Sequence, residues 1–487
     1  RVFHKVLSFS NTEMDHFSTA SLITRSTNDI QQVQMMMVML IRIVFYAPIV
    51  GIGGVIKVLG INTSMAWVLA VAVMAILSLV GVLFAVAMPK FKIMQTLVDR
   101  LNLVAREILT GLSVIRAFHT EKHEEERFDG ANRNLTRNQL FVNRVMTFMM
   151  PTMMLVMNGI SILVVWVGSH GVDNGTMQVG DMMAFIQYTM QIIMSFLMIS
   201  LISVMLPRAS VAAGRIEEVI ATPLAIEDPK EAQQADPSQR GVLEFRDVTF
   251  RYPGAEEDVL HHISFKALPG QTTAFIGSTG SGKSTLLNLI PRFYDVTEGQ
   301  VLGDGVDVRQ MTQHDLRAKL GYVPQKGVPF SGDIASNLGF GREDLSQEEM
   351  VRAAQIAQAE DFITAKPEGY EAPIAQGGTN VSGGQKQRLS IARAIAMNPE
   401  FYLFDDSFSA LDYRTDVALR KALKEVTSES TVLIVAQRIS TILHADQIIV
   451  LDEGRIVGRG THEELMKNCE VYQQIALSQL SKEELGA

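Results

Sequence analysis

Residues 58–89, 145–172 and 182–207 contain no Asp, Glu, Lys or Arg. A bilayer core takes about 20 predominantly apolar residues per helix, so each tract is long enough to span one. The first is too long for one span beside its neighbour. Its polar break at 60–64 reads as a turn, with one span at 38–59, carrying Arg42, Pro48 and Lys57, and another at 65–88. Further spans at 146–168 and 182–206 make four within residues 1–222. The alternative, buried helices of a soluble protein, is disfavoured because globular helices are rarely so uniformly uncharged.

Charge placement orients these spans. Residues 90–144 carry ten Lys and Arg, whereas the turns at 60–64 and 169–180 carry none. The positive-inside bias therefore places 90–144 in the cytoplasm and both turns outside. Four spans return the chain to its starting side, so 1–30 is also cytoplasmic, with everything after Arg208. Within 90–144, Phe91, Met94, Leu97, Leu101, Val104, Ile108 and Leu112 recur every three or four residues, the stripe of a helix running out of the membrane. A break at Gly111 precedes a projecting turn.

The remainder of the chain lives in a different environment. Of 26 Met, 22 lie before residue 241, and the balance there is 19 Lys and Arg against 18 Asp and Glu, compared with 24 against 34 afterwards. That acidity gives no net attraction to nucleic acid, and no nucleic-acid partner is expected. A lone cysteine, Cys469, excludes a disulfide framework and reads as an inert thiol in a reducing compartment. Pro223, Pro229 and Pro237 mark 223–240 as a linker. From 241 to 487, strands at 243–252, 272–276, 401–404 and 431–435 alternate with helical patterns, the signature of a mainly parallel α/β sheet.

The strand at 272–276 runs into Gly277-Ser278-Thr279-Gly280-Ser281-Gly282-Lys283-Ser284, and Thr285 continues into a helix. This is a P-loop in the context its mechanism needs. Glycines let backbone N–H groups curl around phosphate oxygens, Lys283 reaches the β/γ-phosphates, and Ser284 can hold Mg²⁺. Asp405 ends the apolar strand 401–404, where a carboxylate can reach the hydration shell of that ion. The expected cofactors are ATP and Mg²⁺.

A second motif, Val381-Ser382-Gly383-Gly384-Gln385, heads a helical run at 389–396. Here the chain resembles the ATP-binding cassette transporters, specifically exporters in which membrane and nucleotide-binding parts are fused, and the resemblance covers essentially the whole chain. It implies that Tyr252 stacks on adenine, that Gln325 lies near Mg²⁺, that Ser409-Ala410-Leu411-Asp412 forms the D-loop, and that 381–385 completes the ATP site of a facing cassette in trans. Residues 7–29 and 111–118 resemble the cytoplasmic loops whose coupling helices dock on the cassettes. Exporter halves have six spans, so the two before the first such loop are expected to be absent from this sequence, which opens on Arg1.

Three departures from the family pattern stand out. After Asp405, which the resemblance makes the Walker B aspartate, it implies a catalytic glutamate, but this chain has Asp406, shorter in reach by about 1.5 Å. Gln437 replaces the switch histidine and cannot carry an imidazolium charge; His444, seven residues later, reads as ordinary helix surface. Ala375-Gln376-Gly377-Gly378 stands where Gly-Glu-Arg-Gly is usual.

This combination resembles one half of the heterodimeric exporters. It implies a degenerate ATP site on this chain's own Walker residues, with Lys283, Asp406 and Gln437 at its chemical centre. The partner is then a second half-transporter with an intact catalytic Glu and switch His. The expected setting is the plasma membrane, with the ATPase domain in the cytosol and a small amphipathic drug or lipid as substrate. Two alternatives stay open: a slow homodimeric exporter, and a nucleotide-gated channel or regulatory scaffold. Met149, Met150, Met153, Met154 and Met157 either line a permissive cavity or simply pack, the second being commoner in membrane helices.

Overall fold

The computed structural model describes residues 1–61, 63–342 and 344–479, which form two compact units: residues 20–221, and residues 3–19 with 222 onward.

The first unit is helical. Four long helices run over Asn28–Ile61, Ala66–Thr110, Glu121–Asp173 and Val179–Ala221. Among the described residues, three segments are long and apolar enough to cross a membrane, Thr19–Ile61, Ala66–Thr110 and Glu121–Asp173. The tract at 182–206 lies inside the fourth helix, where the side chains of 199–205 are outside the described residues. So are the side chain of Arg42 and all of Asn62, in the turn expected at 60–64. Pro48, Pro89 and Pro151 sit inside helices, as membrane helices allow when neighbours absorb the freed backbone groups. Small residues bring these helices together. A Cβ on Gly54 would lie 2.8 Å from Ile192 Cγ1, and one on Gly168 would lie 2.9 Å from Met182 Cγ. Gly111 ends the second helix and heads a separate two-turn helix, Leu112–Phe118, before the third long helix begins at Glu121.

The second unit is α/β. A four-stranded antiparallel sheet, ordered β2-β1-β4-β5, contains β1 (Leu243–Phe250), β2 (Leu260–Ala267), β4 (Glu298–Gly303) and β5 (Val306–Asp307). The six-stranded sheet is ordered β12-β11-β3-β10-β9-β6. It comprises β3 (Thr272–Gly277), β6 (Leu320–Val323), β9 (Phe401–Asp405), β10 (Thr431–Val435), β11 (Gln447–Asp452) and β12 (Arg455–Gly460). All its pairings are parallel except that of β12 with β11. A short ribbon pairs β7 (Gly332–Asp333) with β8 (Pro373–Ile374). The sequence reading groups the strand at 243–252 with a mainly parallel sheet. Instead β1 joins the antiparallel one, because its alternating pattern fits a sheet with one face less buried, whereas β9 and β10 are buried throughout.

Residues 223–240 contain no α-helix, but they are no free tether. Ile226 is buried, Gln233 and Asp236 donate their N–H groups to the carbonyls of Gln310 and Asp304, and Asp228 accepts from the Gln313 backbone. His444 lies not on a helix but on the turn after the short helix Ile439–Ile442, where it is exposed.

Candidate functional site

The phosphate loop hangs between β3 and the helix Lys283–Leu289. Gly277 has no room for a side chain, since a Cβ there would lie 1.9 Å from the Leu451 carbonyl. Gly282 caps the helix at φ 92°, a left-handed conformation that glycine alone adopts without strain. Ser278, Thr279 and Gly280 form the exposed rim, while Ser281 is buried beneath it. Lys283 folds back over the loop, its ammonium donating to the carbonyls of Gly277 (2.9 Å) and Ser278 (2.6 Å) and to Ser281 Oγ (3.2 Å). Burial lowers its pKa, and the nearby Asp406 and Asp405 carboxylates oppose that shift.

At the end of β9, Asp405 Oδ1 accepts from the Ser284 hydroxyl at 2.8 Å. Burial raises the Asp405 pKa above the ordinary carboxylate value, reinforced by Asp406 and opposed by the Ser284 hydrogen bond and by Lys283. A buried carboxylate beside a hydroxyl is a hard-oxygen donor set of the kind Mg²⁺ takes, with water completing its shell.

Asp406 stands at φ 46°, a left-handed backbone that Asp tolerates better than most residues. Its Oδ2 accepts two hydrogen bonds, from Gln437 Nε2 at 2.8 Å and from Gln325 Nε2 at 3.2 Å. Three of the residues singled out in the sequence thus meet at one oxygen. Tyr252 is half-buried and shares a 2.9 Å hydrogen bond between its hydroxyl and Thr285 Oγ1. Its ring meets Tyr294 edge-on at 5.2 Å, and Tyr294 donates to Asp15 Oδ2. Burial first, and then the Asp15 bond, push the Tyr294 pKa up to about 12. Thr12, Glu13, Asp15, Tyr252 and Pro253 help line a cavity of about 530 Å³ at this edge.

The 381–385 motif lies elsewhere on this unit. Val381 is buried, and Ser382 caps the helix Gly383–Ala396. The Ser382 hydroxyl accepts from Gln385 N at 3.3 Å, and the Gln385 carboxamide accepts from Ser382 N at 3.0 Å. Gly383 and Gly384 form the first turn. Of the segment after β9, Ser409 donates to the Asp406 carbonyl at 2.8 Å, Ala410 and the buried Leu411 follow, and Asp412 caps the helix Tyr413–Val426.

Sequence reasoning missed Gln387. Its buried carboxamide accepts from Gly327 N at 2.9 Å and donates to the Pro324 carbonyl at 3.1 Å. The loop bearing Gln325 is thereby stitched to the helix headed by Ser382. Arg393 adds a second tie, donating to the carbonyls of Asn337 (2.8 Å) and Val328 (3.2 Å) and lying over the Phe330 and Phe340 rings. No spacing rule exposes either residue.

Comparison with known proteins places this geometry. Residues 1–196 match the ABC transporter transmembrane region and residues 260–409 match the ABC transporter family. An uncharacterized ABC transporter ATP-binding protein of Mycobacterium tuberculosis is 42% identical over 481 residues, spanning 98% of this chain and 82% of that one. An ATP-dependent lipid A-core flippase of Pseudomonas aeruginosa is 35% identical over 476 residues, 96% of this chain and 76% of that one. The solved structure of a bacterial Atm1-family ABC exporter with ATP bound superposes with a TM-score of 0.79 at 27% identity, covering 97% of this chain and 83% of that one. With a helical membrane region and an ATPase domain in one polypeptide, the chain belongs to the ATP-binding cassette transporters, as a half-transporter of the exporter type.

Proposed function

We propose that this chain is the degenerate-site half of a heterodimeric exporter in the plasma membrane. Its own phosphate loop holds ATP with little hydrolysis, while Ser382–Gln385 completes the working site of a partner half-transporter that carries a catalytic Glu and a switch His. The observation that carries this reading is the state of Asp406. Its side chain is one methylene short of glutamate, and Oδ2 is already engaged by two carboxamides. A misplacement of about 1 Å at a reacting group can cost roughly a hundredfold in rate. Gln437 supplies hydrogen bonds but no charge.

Ser284, Asp405 and Gln325 would hold Mg²⁺, which supplies charge neutralisation at the β- and γ-phosphates. Lys283 binds the same phosphates, Tyr252 supports the base, and Gln437 orients the terminal phosphate. The relatives named as lipid A-core flippases favour a lipid or another amphipathic molecule as substrate.

The deciding experiment purifies the full transporter under gentle detergent, identifies any second chain, and analyses the nucleotide retained on each. A partner with Glu and His at the two variant positions, and intact ATP on this chain, is the expected result. A homodimer that retains only ADP after brief exposure to ATP would overturn it.

A further inference from the structure

The switch segment is held from behind by a residue of the C-terminal helix. Gln479, at the end of the helix Glu470–Gln479, donates through Nε2 to the Gln437 carbonyl and accepts at Oε1 from Ile439 N, both at 2.8 Å. Arg438 between them is extended, at φ −107° and ψ 130°. In an extended backbone the C=O of one residue and the N–H of the residue two further on point to the same edge, so one carboxamide satisfies both, as a neighbouring strand would.

The helix that presents Gln479 is anchored. Tyr472 and Ala476 are fully buried, and with Gln479 they fall on one face at spacings of four and seven. The Tyr472 hydroxyl shares a 2.8 Å hydrogen bond with His462 Nδ1. The Arg438 guanidinium also donates to the Ser409 carbonyl at 3.3 Å. The segment is therefore held at one backbone edge by Gln479 and through the Arg438 side chain, while the Gln437 side chain projects to Asp406.

We propose that Gln479 is a positioning residue for the nucleotide site. It fixes the backbone of the switch segment so that Gln437 faces the terminal phosphate. The inference takes from the proposed function only that Gln437 lies at that end of the nucleotide. ADP lacks the terminal phosphate and should be indifferent to the loss of Gln479.

The test uses the assembled full-length transporter, photolabelled on ice at this chain with azido-ATP or azido-ADP, comparing wild type with Gln479→Ala and Gln479→Met. Loss of two hydrogen bonds should weaken azido-ATP labelling about tenfold and leave azido-ADP labelling within about twofold. A purely structural role would shift both nucleotides alike along with the melting temperature, and that result, or no change for either nucleotide, overturns the proposal. Gln479→Met preserves length and helix propensity, so it carries the test if the alanine variant fails to fold. Whether wild type retains ATP or ADP after turnover is read separately, so failure of the degenerate-site reading is distinguishable from failure of this one.

Discussion

The Gln437 carboxamide donates to the Asp406 carboxylate at 2.8 Å, joining two of the three places where the sequence departs from the pattern that the family resemblance implies. These two departures form one contact, so they should respond to substitution as a unit. Asp406→Glu with Gln437→His should raise phosphate release at this site by about tenfold or more, whereas either change alone should give much less. Position 406 has a left-handed backbone, so the glutamate should also cost about 1 kcal/mol of stability. Single-turnover hydrolysis by the four proteins, with melting curves alongside, checks both expectations.

Asymmetry between the two motifs gives a second prediction. Asp406→Asn should leave most steady-state ATPase activity of the assembled transporter in place. Ser382→Ala combined with Gly383→Asp strips a hydroxyl from a helix start and adds a carboxylate where a phosphate is expected, and should abolish activity. If Asp406→Asn proves the more damaging, this chain hydrolyses ATP for itself.

Asp405 provides a pH dependence. Its folded pKa is raised above 3.8 by burial, so the folded state holds that proton longer than the unfolded chain. The stability it contributes is full below the unfolded value and is lost as pH rises through the folded one. Melting of nucleotide-free, Mg²⁺-free protein should therefore fall more steeply with rising pH in wild type than in Asp405→Asn, across the range just above the ordinary carboxylate value. The variant should also lose the Mg²⁺-dependent part of ATP stabilisation. Equal slopes would mean that the buried carboxylate is not the source.

Gln387→Ala would leave the Gly327 N–H and the Pro324 carbonyl without their partner. Stability should drop by about 2 kcal/mol, and protease cleavage near Gly327 should accelerate while ADP binding at the phosphate loop is preserved. Chemical denaturation and limited proteolysis measure the two effects.

What the sequence revealed depended on how local each signal was. The phosphate loop and the Asp405 strand end were legible because glycine spacing and an apolar run set the geometry within a few residues. Asp406 and Gln437 stood out against a family pattern, although their mutual bond, across 31 positions, did not. Gln387 and Gln479 were invisible: a glutamine on a helix carries no periodic signal, and their partners lie 60 and 42 residues away. The stripe at 91–112 read as a helix running out of the membrane because its period is local, and it does join the membrane tract as one 45-residue helix through Pro89.

The Gln387 cross-brace has a mechanical meaning under the proposal of two unequal sites. Gln325 belongs to the site built on this chain's own phosphate loop, and Ser382 is the residue expected to face the other one, yet one buried side chain clasps the first loop to the helix that the second begins. Whatever tilts one tilts the other. If the degenerate-site proposal holds, a nucleotide that is kept and never spent has a linkage to the place where its counterpart is consumed, and it can set the tempo of the engine while doing no combustion of its own.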